Sequence, residues 1–214
     1  MAITQNPLIG RASGTFGGAV FSKLYNKNIV RSKPVSISDA KSPAQLSQRA
    51  KFAAAHAFLS QIADFIALTY APTSEERSGY SSAMSHFLRN NMTFVAPDWL
   101  VDFPSVILTA GPHPGLQSLS VVDPSCAGFD IVWDNSSPPA GANDADIVSF
   151  VILIKTEGNP IRYIEDETRN TESTSLILPA SLAGETYHLF AFVTNPIGTI
   201  VSDSQYIGSG ILTA

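Results

Sequence analysis

Ile147-Val-Ser-Phe-Val-Ile-Leu-Ile154 is the longest apolar run in the chain, and its length decides how the rest is read. A membrane helix needs about 20 consecutive apolar residues, so this run is too short to span a bilayer. It has the length of a β-strand. Similar short runs lie on both sides of it: Val106–Leu108, Leu116–Val122, Phe129–Trp133, Ile161–Ile164, Ser175–Leu178, Tyr187–Val193 and Ile200–Tyr206. Gly, Pro and Asn separate them. About seven or eight short strands over roughly a hundred residues is the pattern of a β-sandwich.

Upstream the pattern changes. Residues 42–92 read as a helical hairpin. Ser42-Pro43 offers a helix N-cap followed by Pro at the first helical position. Leu46, Ala50, Ala53, Ala57, Ile62 and Phe65 or Ile66 fall near one helical face, and Pro72 ends the helix. The small residues Ala50, Ala53, Ala54 and Ala57 would admit another backbone. Thr73-Ser-Glu-Glu76 reads as a capping box opening a second helix, with Tyr80, Ala83, Met84, Phe87 and Leu88 as its stripe and Arg89-Asn-Asn91 as its end. Residues 1–41 are rich in Gly and basic residues. There Ala19 to Ser32 reads as a β-hairpin turning about Asn26-Lys27-Asn28, with Pro34 ending its second strand. Residues 93–105 read as an ordered linker. The expected fold class is therefore α+β, an N-terminal β-hairpin and helical hairpin followed by an all-β immunoglobulin/fibronectin-III-like sandwich. The expected domains are 1–105 and 106–214.

Two stretches carry resemblances. Ile131-Val-Trp133, Ser175-Leu-Ile-Leu178, Leu182-Ala-Gly-Glu-Thr-Tyr187 and Asn195-Pro-Ile-Gly198 resemble a fibronectin type III domain. That likeness implies a buried strand-C Trp at Trp133, a tyrosine corner at Tyr187 and an F–G hairpin turn at residues 195–198. It makes Trp133 and Tyr187 members of one core and implies no activity. Gly14-x-x-Gly17-x-x-Val20, Ile29-Val-Arg-Ser-Lys-Pro34, Gln45-x-x-Gln48-Arg49-x-x-Phe52 and Trp133-Asp-Asn135 resemble an uncharacterised Bacteroidetes family of about this length, known only as a domain of unknown function.

Charge is divided by position. Up to Lys51 eight bases face a single acid, Asp39; from Phe52 onward five bases face seventeen acids, and the whole chain is −5. Such a chain can bind a polyanion at one end or stack head-to-tail on its copies. Charged residues make up 14% of the chain, below the roughly 25% usual for soluble proteins. That suits a surface partly covered by neighbours, and equally a secreted or virion-type β-protein rich in Ser, Thr and Asn. The single cysteine, Cys126, rules out an intrachain disulfide and reads as a buried or turn thiol. The N-terminus lacks a basic segment followed by an apolar one, so synthesis in the cytoplasm without a signal peptide is expected.

No catalytic constellation accompanies these features. His56, His86, His113 and His188 lack metal-ligand spacing. Asp134, Asn135, Asn143, Asp144 and Asp146 offer oxygen ligands for calcium, but no twelve-residue calcium loop is present, and a solvated C–C′ connection is preferred. Glu165-Asp-Glu167 and Glu172 read as a solvated loop. The glycines at 10–18 do not form a phosphate loop. No catalytic residue, metal or cofactor is assigned.

The reading that follows is a non-enzymatic structural protein that associates with copies of itself, in an oligomer or a virion-like assembly. Its contacts would be made through Arg31, Lys33, Arg49, Lys51, Phe16 and Phe21. The first alternative is a nucleic-acid-associated accessory protein using the bases of residues 11–51, against which stands the whole-chain pI of about 5.2. The second is a ligand or carbohydrate recognition module on the sandwich loops. No membrane insertion is expected.

Overall fold

The structure is a computed structural model, and it describes residues 2–4, 13–24, 27–36, 39–70, 78–122, 125, 128–156 and 159–213. Cys126 and the Thr73–Glu76 box lie outside these residues. The chain divides into two compact units, Met1–Leu46 and Ser47–Ala214.

The first unit is an antiparallel sheet of β1 (Ala2–Thr4), β2 (Gly14–Phe16), β3 (Ala19–Leu24) and β4 (Lys27–Ser32), in the order β1-β4-β3-β2. The hairpin read from the sequence is β3–β4, with a strand added on each side. Leu24 pairs with Lys27, so Lys27 and Asn28 belong to the strand and the turn falls earlier than expected. Gly17 turns the β2–β3 hairpin with φ +55°, a left-handed conformation that glycine adopts without strain.

The second unit begins with helical segments: α1 (Pro43–Gln61, which starts just before the boundary), α2 (Ala63–Thr69) and α3 (Gly79–Asn90). Ser42 and Gln45 make a reciprocal box: the Gln45 amide donates to Ser42 Oγ and the Ser42 amide to Gln45 Oε1, each at 3.3 Å. The helix is not continuous to residue 72, because Ile62, at φ −118° and ψ 20°, breaks it from α2. The buried face is the expected one only at Ile62, Phe65 and Ile66, and over α1 it differs. Ala55, Phe58, Leu59 and Ile62 are buried, whereas Leu46, Ala50, Ala53 and Ala57 are exposed. For α3 the cap is Ser78, whose side chain accepts from the Ser81 amide, and the stripe Ala83, Met84 and Phe87 is buried as expected.

Residues 93–105 are not a linker. They hold most of a hairpin, β5 (Met92–Val95) and β6 (Asp98–Val101), turning at a cis Ala96–Pro97 bond, and a short 3-10 turn at Phe103–Ser105. Val106–Leu108 is not a strand either. The Leu108 amide donates to Ser204 Oγ at 2.7 Å and Thr109 Oγ1 to the Ser202 carbonyl at 2.7 Å, so this segment is tied to residues 202–204 through side chains.

The sandwich follows: β7 (Gln117–Val122), β8 (Phe129–Asp134), β9 (Ile147–Thr156), β10 (Asn159–Thr168), β11 (Ser173–Leu176), β12 (Thr186–Thr194) and β13 (Gln205–Ile211). One sheet has the order β10-β9-β12-β13 and the other β11-β8-β7. Trp133 thus lies on the second strand of the sandwich, in the three-stranded sheet, and not on the third as the resemblance implied. Residues 135–146 accordingly join β8 to β9, and Glu165–Glu167 form part of edge strand β10 rather than a loop.

The central strands β9 and β12 of the four-stranded sheet are apolar on both faces, and this sets the architecture. Val148, Phe150, Ile152 and Ile154 of β9 and Leu189, Ala191 and Val193 of β12 join Trp133 and Tyr187 in the core between the sheets. The alternate residues, Val151, Leu153, Phe190 and Phe192, form a second core with Phe58, Leu59, Ile62, Phe65, Ile66 and Phe87 of the helices. Phe65 meets Phe192 edge-on at 5.5 Å. The expected boundary at 105/106 is therefore replaced by one at 46/47, because the helices cover a face of the sheet that would otherwise be apolar and exposed. Among the described residues no helix is long and apolar enough to cross a membrane.

Candidate functional site

The residues singled out in the sequence divide between the two units. Phe16, Phe21, Arg31 and Lys33 lie in the N-terminal sheet. Its register assigns them to faces: Phe16 pairs with Ala19, Phe21 with Val30 and Val20 with Arg31. Side chains alternate along a strand, so Phe16, Ala19, Phe21 and Val30 share one face, while Val20, Ile29 and Arg31 share the other. Phe16 is 82% exposed, and among the residues of this unit whose burial is described only Ile29 is buried. Arg31 and Lys33 are exposed, and the Lys33 amide donates to the Gly18 carbonyl at 2.8 Å. The unit holds six bases (Arg11, Lys23, Lys27, Arg31, Lys33, Lys41) against Asp39, so nearly all of the excess positive charge falls within it.

Arg49 and Lys51 lie on α1 in the second unit. Lys51 turns onto Trp99 of β6, its Nζ 4.5 Å from the ring centroid, a cation–π contact. Trp99 Nε1 donates to Ser47 Oγ at 3.1 Å, and Phe94 lies 5.2 Å from the Trp99 ring.

Beside Trp99 opens a recess of about 420 Å³. Ala54, Ala57, Phe58 and Gln61 of α1 line one side, Trp99, Leu100, Val101 and Phe103 another, and Leu153 and His188 the sheet side. The His188 ring stacks flat on Phe103 at 3.6 Å, with its Nδ1 3.3 Å from the Tyr206 hydroxyl. Burial pushes the His188 imidazole below its ordinary range.

In the β8–β9 connection Asn143 and Asp144 are exposed, as a solvated loop requires, but Asp146 is not. Asp146 is fully buried. Its Oδ2 accepts from the Asn143 amide at 2.9 Å and from Arg169 Nε at 3.3 Å, and lies 2.9 Å from His113 Nε2. Arg169, 1% exposed, also donates to the carbonyls of Gly115 (3.1 Å) and Pro114 (2.8 Å). Trp133 Nε1 donates to the Arg169 carbonyl at 2.8 Å. The cluster ties the entry to β7, the β8–β9 loop and the turn after β10 to the sandwich core. One sequence signal could have found it: Arg169 is one of five bases beyond Lys51, set in an acidic stretch. Oδ1 of Asp146 has no hydrogen-bond partner. Among the described residues no group of three His, Cys, Asp or Glu is placed to hold a metal ion.

Solved structures similar to this chain are fibronectin type III-like folds. The fn3 domain of the human collagen alpha-1(XX) chain is 17% identical over 50% of this chain and 87% of its own, with a TM-score of 0.34. The chicken interferon gamma receptor alpha chain is 14% identical over 57% of this chain and 64% of its own, with a TM-score of 0.37. Titin kinase with its flanking domains is 14% identical over 49% of this chain and 18% of its own, with a TM-score of 0.35. No curated protein matches the chain in sequence. A family model does: over residues 11–208 the sequence matches a family of unknown function (DUF6266), and the chain belongs to that family.

Proposed function

We propose that this protein is a non-enzymatic structural protein that associates head-to-tail with copies of itself through its N-terminal sheet. The observation that carries this reading is the sheet itself. A sheet of this size gains stability only by burying a face against another layer. This one has apolar residues on both faces, buries only Ile29 among the residues whose burial is described and leaves Phe16 in solvent. Its excess of bases belongs to a chain whose remainder holds seventeen acids against seven bases, so another copy supplies both the missing apolar layer and the opposite charge. A contact between two different surfaces is heterologous, and it closes into rings or grows into filaments.

Size-exclusion chromatography with light scattering on the intact chain tests this, alongside Phe16→Ser. The intact chain should run as an oligomer and the variant should shift toward monomer. A monomeric intact chain at micromolar concentration would overturn the reading. Phosphate contacts by Arg31 and Lys33 would show in a different assay, as filter retention of nucleic acid with log K falling by about 0.7–0.9 per log unit of salt for each phosphate neutralised.

A further inference from the structure

We infer that the recess between α1, β6, β9 and β12 is a binding site for a flat aromatic anion. It lies wholly within the second unit and is independent of self-association. Its volume of about 420 Å³ lies in the usual range of small-molecule sites, roughly 300–1,000 Å³. The side chains fit a planar apolar body. Phe58, Trp99 and Phe103 supply ring surfaces, Leu153 supplies an aliphatic one, and Ala54 and Ala57 keep the α1 side open by their small size.

Besides the Gln61 amide, which both donates and accepts, two groups supply polarity, and both favour an acceptor oxygen on the ligand. His188 is held by its stack on Phe103 and by the Tyr206 hydroxyl at Nδ1, and no described residue bonds its Nε2. In the tautomer in which the Tyr206 phenol donates to Nδ1, the neutral ring carries its proton on Nε2, which can then donate to a ligand in the recess. Lys51 does not itself line the recess, but its Nζ lies 4.5 Å from the ring centroid of Trp99, which does, so a cation stands beside that wall; no acid lines the recess. A negative oxygen near Nε2 and Lys51 satisfies both, while the aromatic body replaces water along the rings.

The probes are anilinonaphthalene sulfonate, a flat aromatic anion, and phenylnaphthylamine, its neutral parent. Each is titrated into the intact chain while probe and Trp99 emission are followed. Ala57→Phe fills the recess from an exposed helix position. His188→Phe keeps the stack and removes the donor. The anion should bind at one saturable site and perturb Trp99. Ala57→Phe should abolish binding, and His188→Phe should weaken it about tenfold, as loss of a hydrogen bond to a charged group does. The neutral parent should bind more weakly and be indifferent to His188. Binding unchanged in both variants, equal affinity for the two probes, or no saturable site in the wild type would overturn the proposal.

Discussion

Phe192→Ala tests whether the helices and the sandwich share one core. Phe192 is 4% exposed on β12 and meets Phe65 of α2 edge-on at 5.5 Å. Truncation removes a buried ring, leaves a cavity and ends the aromatic pair, for a cost of about 3–5 kcal/mol. For a unit the size of Ser47–Ala214, each kcal/mol lowers Tm by roughly 2–4 °C, so the melt should fall by about 6–20 °C. The assay is a thermal melt of residues 47–214 followed by far-UV and near-UV circular dichroism. The far-UV signal reports the helices with the strands, and the near-UV signal reports tertiary packing at Trp99 and Trp133. In a shared core both signals move together in one transition. A helical signal that keeps its wild-type midpoint while the near-UV transition shifts would refute the shared core and restore a boundary at 105/106. The fragment 106–214 gives the converse result: without the helices it exposes Val151, Leu153, Phe190 and Phe192, and it should aggregate or melt without cooperativity.

Three further outcomes follow from the same geometry. Arg169→Met leaves the Asp146 carboxylate buried without its guanidinium and should cost about 3–5 kcal/mol, whereas adding Asp146→Leu should recover much of that loss in a denaturant titration. His188 is depressed by burial, so as pH falls the unfolded chain takes up this proton first. Its contribution is therefore full above the ordinary value of 6.5 and is lost as pH drops from there to the folded-state value; stability-versus-pH curves of His188→Gln should lack that limb. Gly79→Ala should destabilise the unit in a thermal melt, because a Cβ there would meet the Tyr70 carbonyl oxygen at 2.3 Å and the Ile66 carbonyl oxygen at 3.4 Å, and backbone cannot swing aside.

Most sandwich strands were legible because turn residues bound each apolar run, and the Ser42 cap because Ser-Pro has a local meaning. The last strand was not, since the expected Ile200–Tyr206 is mostly loop and the strand is Gln205–Ile211, whose Gly208 and Gly210 break the apolar pattern. What was missed depends on contacts distant in sequence. Ile147–Ile154 does not alternate, which is how a strand covered on both faces reads, yet nothing local says that α1 and α2 provide the second cover. Val106–Leu108 is apolar enough for a strand, but its Val106 amide closes the turn onto the Phe103 carbonyl and its Leu108 amide is engaged by Ser204, far along the chain. Asp146 sits in a polar loop sequence, and its burial follows from Arg169, which arrives from beyond β10. In the N-terminal sheet the hairpin was legible and the outer strands were not, since Gly14-Thr-Phe16 has too few residues to show a period. The recess escaped notice because Trp99 and His188 meet only across the helix–sheet interface.

Mixing truncated and intact chains is the most direct test of head-to-tail association. Residues 47–214 keep the acidic surface and lack the N-terminal sheet, so in a heterologous contact they accept an intact copy and cannot extend the array. Light scattering of the intact chain titrated with residues 47–214 should show the mean mass falling steadily as growing ends are capped. A mass distribution of the intact oligomer that stays unchanged under excess truncated chain would contradict the head-to-tail contact.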